Sequence, residues 1–234
     1  PRTAALIRTS LPMLALITGE RVRHELDMIL QEARPEVALF EMQKRGILQA
    51  IHPGLRLSNR IGRHFRRVRA QARWLDGVKT DLIYWHLIGI YCGAENVPAV
   101  AERMMVGKTI GEAMLAAARI AEAFDRLGDP AARPSRVAAI LDGMPRSAIL
   151  AAWAFAHDPV VLRHLRRYLA EWASVRPELN GHDLLAMDIP KGPCIGRLLD
   201  RLRRARLDGV VTSRVEEVAL VGRLLDEGLC ADES

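Results

Sequence analysis

Apolar residues return every three or four positions along nearly the whole chain, whereas alternation of apolar with polar residues never persists for more than a few. A period near 3.6 belongs to one face of an α-helix and a period of two to a strand, so the chain is expected to be all-α. Its 234 residues, half of them hydrophobic, can bury a substantial core in one large domain or two to three small ones, which makes global disorder a poor reading. No uninterrupted apolar run reaches the roughly 20 residues of a membrane helix, and no basic start leads into a signal-type apolar core. Cys92, Cys194 and Cys230 are odd in number and far apart. That suits neither a disulfide framework nor a spaced metal site, and fits a reducing cytoplasm. The chain opens at Pro1 without a Met, and Ala4 to Leu16 reads as the interior of an apolar helix, so we expect a piece of a longer protein.

Local signals place the helices. Thr18 can cap a helix that carries Val22, Leu26, Ile29 and Leu30 on one face, with Glu20 in its first turn. Pro35 suits the start of a second helix and Gly46 its end, and a turn follows at Pro53 and Gly54. From Asn59 to Leu75, Ile61, Phe65, Val68, Ala72 and Leu75 line one side of a helix whose other side holds Arg60, Arg63, Arg66, Arg67, Arg69 and Arg73. No acid sits among those arginines before Asp76, so they form either a solvated face bridged by other helices or a face that contacts phosphates.

Asp81 to Ile90, with Tyr84, Trp85 and His86, reads as a buried helix. Thr109 and Glu112 are spaced as a capping box for a helix striped by Ile110, Met114, Ala117, Ala121 and Phe124, which Gly128 and Pro130 stop. Pro130 to Ser135 is the clearest linker, and breaks are expected near Gly143 and Pro145 and at Asp158 and Pro159. A helix from Pro159 carries Arg163, His164, Arg166 and Arg167 ahead of Tyr168 and Trp172. That mixture either meets RNA or packs its two rings against neighbouring helices.

Leu179 to Leu199 reads as a short helix, a tight turn and a second helix. Pro190 and Pro193 flank Gly192, and the second helix starts near Pro193, so its unpaired N–H groups and positive dipole end face the turn beside Lys191. A phosphate fits there. Behind the turn, Lys191, Arg197, Arg201, Arg203, Arg204 and Arg206 stand against only Asp200 and Asp208. Ser213 and Glu216 make a capping box for a last helix to about Glu227. With 34 Lys and Arg against 28 Asp and Glu, the net charge of +6 favours a polyanionic partner.

At these residues the chain resembles the C-terminal half of the bacterial tRNA nucleotidyltransferase and poly(A) polymerase family, which includes the CCA-adding enzymes. Thr18-Gly-Glu-Arg-Val-Arg-His-Glu-Leu26 resembles the family's Ser/Thr-x-Glu-Arg-Ile-x-x-Glu-Leu stretch, with Thr18, Glu20, Arg21 and Glu25 at the matching positions and the cap and Arg21 to Glu25 spacing holding the neck helix. Leu179-x-Gly-x-Asp-Leu184, Pro190-x-Gly-Pro-x-Ile-Gly196 and Leu207-Asp-Gly209, followed by Glu216 and Glu217, resemble its tail. Gly181, Asp183 and Pro193 belong to that pattern. Asp188 departs from it, standing where glycine is usual, and an acid there weakens anion binding unless it points away or caps a helix.

The resemblance implies an elongated helical array with a helix–turn–helix-like tail, divided into a neck hairpin at 1–58, a body at 59–176 and a tail at 177–234. It implies RNA binding that positions a tRNA 3′ end for a catalytic head. That head, with its Gly-Ser loop, carboxylate pair, Mg and ATP or CTP, has no counterpart in these residues. No catalytic residue, metal ligand or cofactor is therefore expected in this chain, and the candidate RNA contacts are Lys191, Gly192, Gly196, Arg197, Arg201, Arg204, Arg63 and Arg67. Two other readings compete: a stand-alone helical nucleic-acid-binding or interaction module of the helix–hairpin–helix kind, and a metal phosphohydrolase built on His157-Asp158 or His182-Asp183.

Overall fold

The structure, a computed structural model, describes residues 11–71, 74 and 77–230. The described residues form helices and no strand. Most of the expected apolar helix from Ala4, together with Ala72, Arg73, Leu75 and Asp76, lies outside them. Within Ala4 to Leu16, the described part, Leu11–Leu16, is a 3-10 helix.

The chain divides into two compact units. The first, Pro1–Gly128 with Gly143–Leu162, contains α1 (Gly19–Gln31), α2 (Pro35–Lys44), α3 (Ile47–Ile51), α4 (Ile61–Ala70), α5 (Thr80–Cys92), α6 (Val97–Arg103), α7 (Lys108–Glu122), α8 (Phe124–Leu127) and, after the second unit's α9 (Pro134–Leu141), α10 (Arg146–Phe155). Its centre is α5, as the unbroken apolar run from Asp81 requires: every residue from Ile83 to Ile90 is buried. α5 packs against α7 and α10, both rich in alanine on the contact side. Small side chains let the axes approach, and a Cβ on Gly89 would overlap the backbone of Met114.

Pro35 opens α2 at its first turn, and Gly46, at φ 75°, ends it in the left-handed region. Gly19 is buried where a Cβ would overlap the Arg103 carbonyl. Arg103 in turn donates to the carbonyls of Leu14 and Ile17 at 2.9 and 3.1 Å, which binds the start of α1 to the end of α6.

Three local expectations are corrected. Thr18 holds the N-cap position of α1, but its hydroxyl makes no cap bond. Among the described residues Arg21 does not pair with Glu25; the i,i+4 pair of α1 is Arg23–Asp27 at 3.9 Å, and Asp27 also accepts from the Trp85 indole at 2.8 Å. α7 starts a residue before the anticipated capping box, with Gly107 as its N-cap, and Glu112 faces Lys108 at 3.9 Å.

The second unit is Asp129–Asp142 with Arg163–Ser234. It holds α9, the end of α11 (Pro159–Ala170), α12 (Gly181–Leu185), α13 (Pro193–Leu207) and α14 (Arg214–Asp226). Leu184, Ile189, Leu198, Leu202 and Val221 form one core, the leucines each worth about 1.5–3 kcal/mol on burial. Cys194 and Cys230 form a disulfide across 36 residues of sequence, which overturns the reading of three isolated thiols. The α13–α14 hairpin brings together two positions that spacing alone keeps apart.

Candidate nucleic-acid interface

The tail turn is built from both sides. α12 begins with a reciprocal cap in which Asn180 accepts from the amides of His182 and Asp183, and Asp183 accepts from the Asn180 amide at 2.8 Å. It ends with the Ile189 amide bonded to Leu184 and the Asp188 amide to Leu185, a Schellman arrangement closed by contact between Leu184 and Ile189. That motif needs a left-handed residue at Asp188, whose φ is 61°. This is the physical reason glycine suits the position, and why an aspartate, one of the few side chains that tolerate the region, can replace it.

Gly192 is extended, at φ 167°, and Pro193 opens α13 at its first turn, as expected from the sequence. Between the two helices lies a concavity of about 490 Å³, with Lys191, Gly192 and Gly196 on one side and Gly181 and His182 on the other. The first-turn N–H groups of α13 have no i−4 carbonyl within the helix, which leaves the positive end of its dipole at this opening.

Along α13 the basic residues split into two sets. Arg197, Arg201 and Arg204 recur at intervals of four and three on the exposed side, Arg204 pairing with Asp200 at 2.9 Å. Arg203 and Arg206 turn inward. Arg203 grips Asp142 and donates to the Val175 carbonyl at 3.0 Å, while Arg206 pairs with Glu217 and, at 2.5 Å, with Glu178. Glu217 is fully buried and also accepts from the amides of Glu178 and Leu179, at 3.1 and 2.8 Å. The rest of the tail pattern is likewise structural. Glu216 caps α14 through Ser213 and Thr212, Asp183 pairs with Arg214 at 2.6 Å, and Asp208 accepts from the amide and hydroxyl of Ser135.

The arginine face of α4 divides in the same way. Arg60, Arg63 and Arg66 are exposed. Arg69 makes a two-pronged pair with buried Glu36, at 2.7 and 3.0 Å, and reaches Tyr84. Burial alone would raise the Glu36 carboxyl, but the hydrogen bond and charge of Arg69 outweigh it and the pKa falls below the usual range.

Arg67 donates to the carbonyls of Trp153, Ala154 and Ala156 at 3.3, 3.3 and 2.5 Å, capping the C-terminus of α10, and lies 5.2 Å from the Trp153 ring centroid. Buried His64 accepts from or donates to the Tyr91 hydroxyl at 3.0 Å; burial, then His157, Arg67, Arg63 and Arg60, lower its pKa to about 4. His157, exposed beside these arginines, is also lowered, by partial burial and then by Arg67, Arg63 and Arg60. In the second unit Tyr168 and Trp172 are both buried, Tyr168 donating to Asp142 at 2.9 Å, so the packing alternative holds for both rings.

The carboxylates of the His-Asp pairs are engaged in helix starts: Asp158 accepts from the amides of Val160 and Val161, and Asp183 from that of Asn180. Among the described residues no three His, Cys, Asp or Glu side chains come together to hold a metal ion.

Residues 1–57 match the family model described as a probable RNA and SrmB-binding site of polymerase A. The A-adding tRNA nucleotidyltransferase of Geobacter sulfurreducens is 26% identical over 238 residues, covering 96% of this chain and 27% of that protein. The Thermotoga maritima CCA-adding enzyme complexed with tRNA superposes on 96% of this chain and 56% of its own with a TM-score of 0.75 and 19% identity. A CCA-adding enzyme with ATP does so with a TM-score of 0.76 at 18% identity, again over 96% and 56%. The chain thus spans little more than half of the solved enzymes and about a quarter of the curated relative. In fold over nearly its whole length, and in sequence over residues 1–57, it matches the C-terminal, helical half of the tRNA nucleotidyltransferase and poly(A) polymerase family.

Proposed function

We propose that this chain is the RNA-binding part of a tRNA nucleotidyltransferase or poly(A) polymerase, and that it positions a tRNA 3′ end for nucleotide addition by an N-terminal catalytic head. The chemistry, with Mg and ATP or CTP, belongs to that head; the residues described here bind and orient. The observation that carries the reading is the tail turn, which sets Lys191 and the amide end of a 15-residue helix at the mouth of an open concavity. Gly196 adds to it. A Cβ there would meet nothing within 4 Å, so packing does not demand a glycine that costs about 1 kcal/mol within a helix, and the missing side chain keeps the concavity clear.

Arg197, Arg201 and Arg204 extend the positive surface behind the turn, and Arg63 offers a charge on α4. Arg67 can add its charge to that field while its guanidinium holds α10. A cytoplasmic setting is part of the proposal. The Cys194–Cys230 disulfide stands against that setting, because a reducing compartment would open it to two thiols.

Competition binding tests the function. A tRNA transcript should bind with strong salt dependence and displace duplex DNA of equal length. Equal affinity for both would favour the stand-alone nucleic-acid module instead.

A further inference from the structure

At the far end of α13 from the turn, a second concavity of about 460 Å³ opens between α9 and α13. Its floor is built. The Asp208 carboxylate accepts from the Ser135 amide at 2.9 Å and from its hydroxyl at 2.7 Å, which caps the first turn of α9 and ties it to the end of α13. Arg133 and Arg136, from the start of α9, and Arg201 and Arg204, from α13, line the opening, with small alanines between them.

Four arginines from two elements therefore line one cleft. Both oxygens of Asp208 face Ser135, and Asp200 pairs with Arg204. Arg133, Arg136 and Arg201 have no ion-pair partner among the described residues. Like charges gathered in one cleft raise each other's energy and draw in an anion. The lining has no aromatic ring and no large apolar side chain on which a base could stack, so the ligand chemistry is that of phosphate rather than nucleobase. The Arg197, Arg201 and Arg204 row links this cleft to the turn, with Pro193 and Arg201 about 12 Å apart along the helix axis.

We infer that the α9–α13 cleft grips phosphates of an RNA backbone, with Arg133 and Arg136 acting beside Arg201 and Arg204. The inference rests on the RNA-binding reading above and adds a sequence-independent contact to it. Phosphate contacts of this kind fix register and orientation without reading bases.

The test measures binding of a tRNA transcript lacking its 3′ CCA, and of an unrelated hairpin RNA, between 50 and 200 mM salt. The proteins are the wild-type chain, the double variant Arg133→Gln/Arg136→Gln, and a matched control pair of exposed arginines, Arg119→Gln/Arg126→Gln. The α9 pair should lower the magnitude of the salt slope by about 2 and weaken both RNAs by the same factor, with the control slope unchanged. Arg201→Gln, on the opposite wall, should lower it by about 1 and gives an independent reading should the double variant fail to fold. Slopes equal to wild type in the α9 and Arg201 variants, or an equal fall in the control pair, would overturn the cleft while leaving RNA binding in place. A wild-type chain that binds neither RNA would bring down the functional reading itself.

Discussion

Replacing Glu217 should unfold the tail, and the size of the effect follows from what the carboxylate holds. Its side chain is fully buried and its two oxygens accept from the amides of Glu178 and Leu179 and from the Arg206 guanidinium. Glu217→Ala leaves all three donors without an acceptor. Removing one partner of a buried ion pair costs about 3–5 kcal/mol, and stranded amides cost about 1–3 kcal/mol each, with heavy overlap between the two figures. A loss of about 4 kcal/mol is expected. Glu217→Gln keeps the volume but turns an NH2 toward a donor, so it should lose about 2–3 kcal/mol. In urea, with a slope near 2 kcal/mol per molar, the alanine variant should unfold the second unit roughly 2 M earlier by circular dichroism. A midpoint shift below about 0.3 M would show that the carboxylate does not organise the tail and would refute the argument.

Other outcomes follow from the same contacts. Arg67→Ala should cost about 2 kcal/mol in thermal or urea unfolding, with Arg67→Lys recovering only part because the shorter lysine gives up the planar contact with the Trp153 ring and the reach of the terminal guanidinium nitrogen that donates to the three carbonyls; equal stability of the two variants would contradict the capping role. Asp188→Gly should stabilise the chain by about 0.5 kcal/mol, by relieving a left-handed aspartate, and should tighten RNA binding at the turn; a loss in either assay would count against that geometry. Under oxidising, denaturing conditions thiol titration should find Cys92 alone, and Cys230→Ser should remove about 4 kcal/mol of loop-closure stabilisation for a 36-residue separation; three titratable thiols would refute the pairing. Glu36 titrates lower when folded than when unfolded, so its pairing with Arg69 stabilises fully above the ordinary glutamate range and is lost as pH falls through the folded value. Acid titration of Arg69→Gln should therefore be flatter below that range than that of the wild type, and parallel curves would refute the linkage.

Much of the architecture was legible in the chain because helices announce themselves locally. The periodic apolar stripes located the helices, and Pro35, Gly46 and the Ser213–Glu216 pair marked ends that the structure retains. The tail turn was readable for the same reason, since proline and glycine restrict the backbone wherever they stand. The Thr109–Glu112 spacing misled because a capping box also needs the helix to begin at that residue, and Gly107 begins it earlier.

The roles of charged side chains were not legible. Arg63 and Arg67 sit one turn apart in the same basic run, yet one faces solvent and the other caps a helix about ninety residues away in sequence. Nor did sequence distinguish Arg201 from Arg203, or show that Glu217 is buried and that Cys194 meets Cys230. Local pattern determines which segments coil and which face of each is apolar, because those terms act over a few residues. Which arginines are left to meet a phosphate is decided by the carbonyls and carboxylates that packing brings within about 3 Å of them, and only the tertiary structure supplies those.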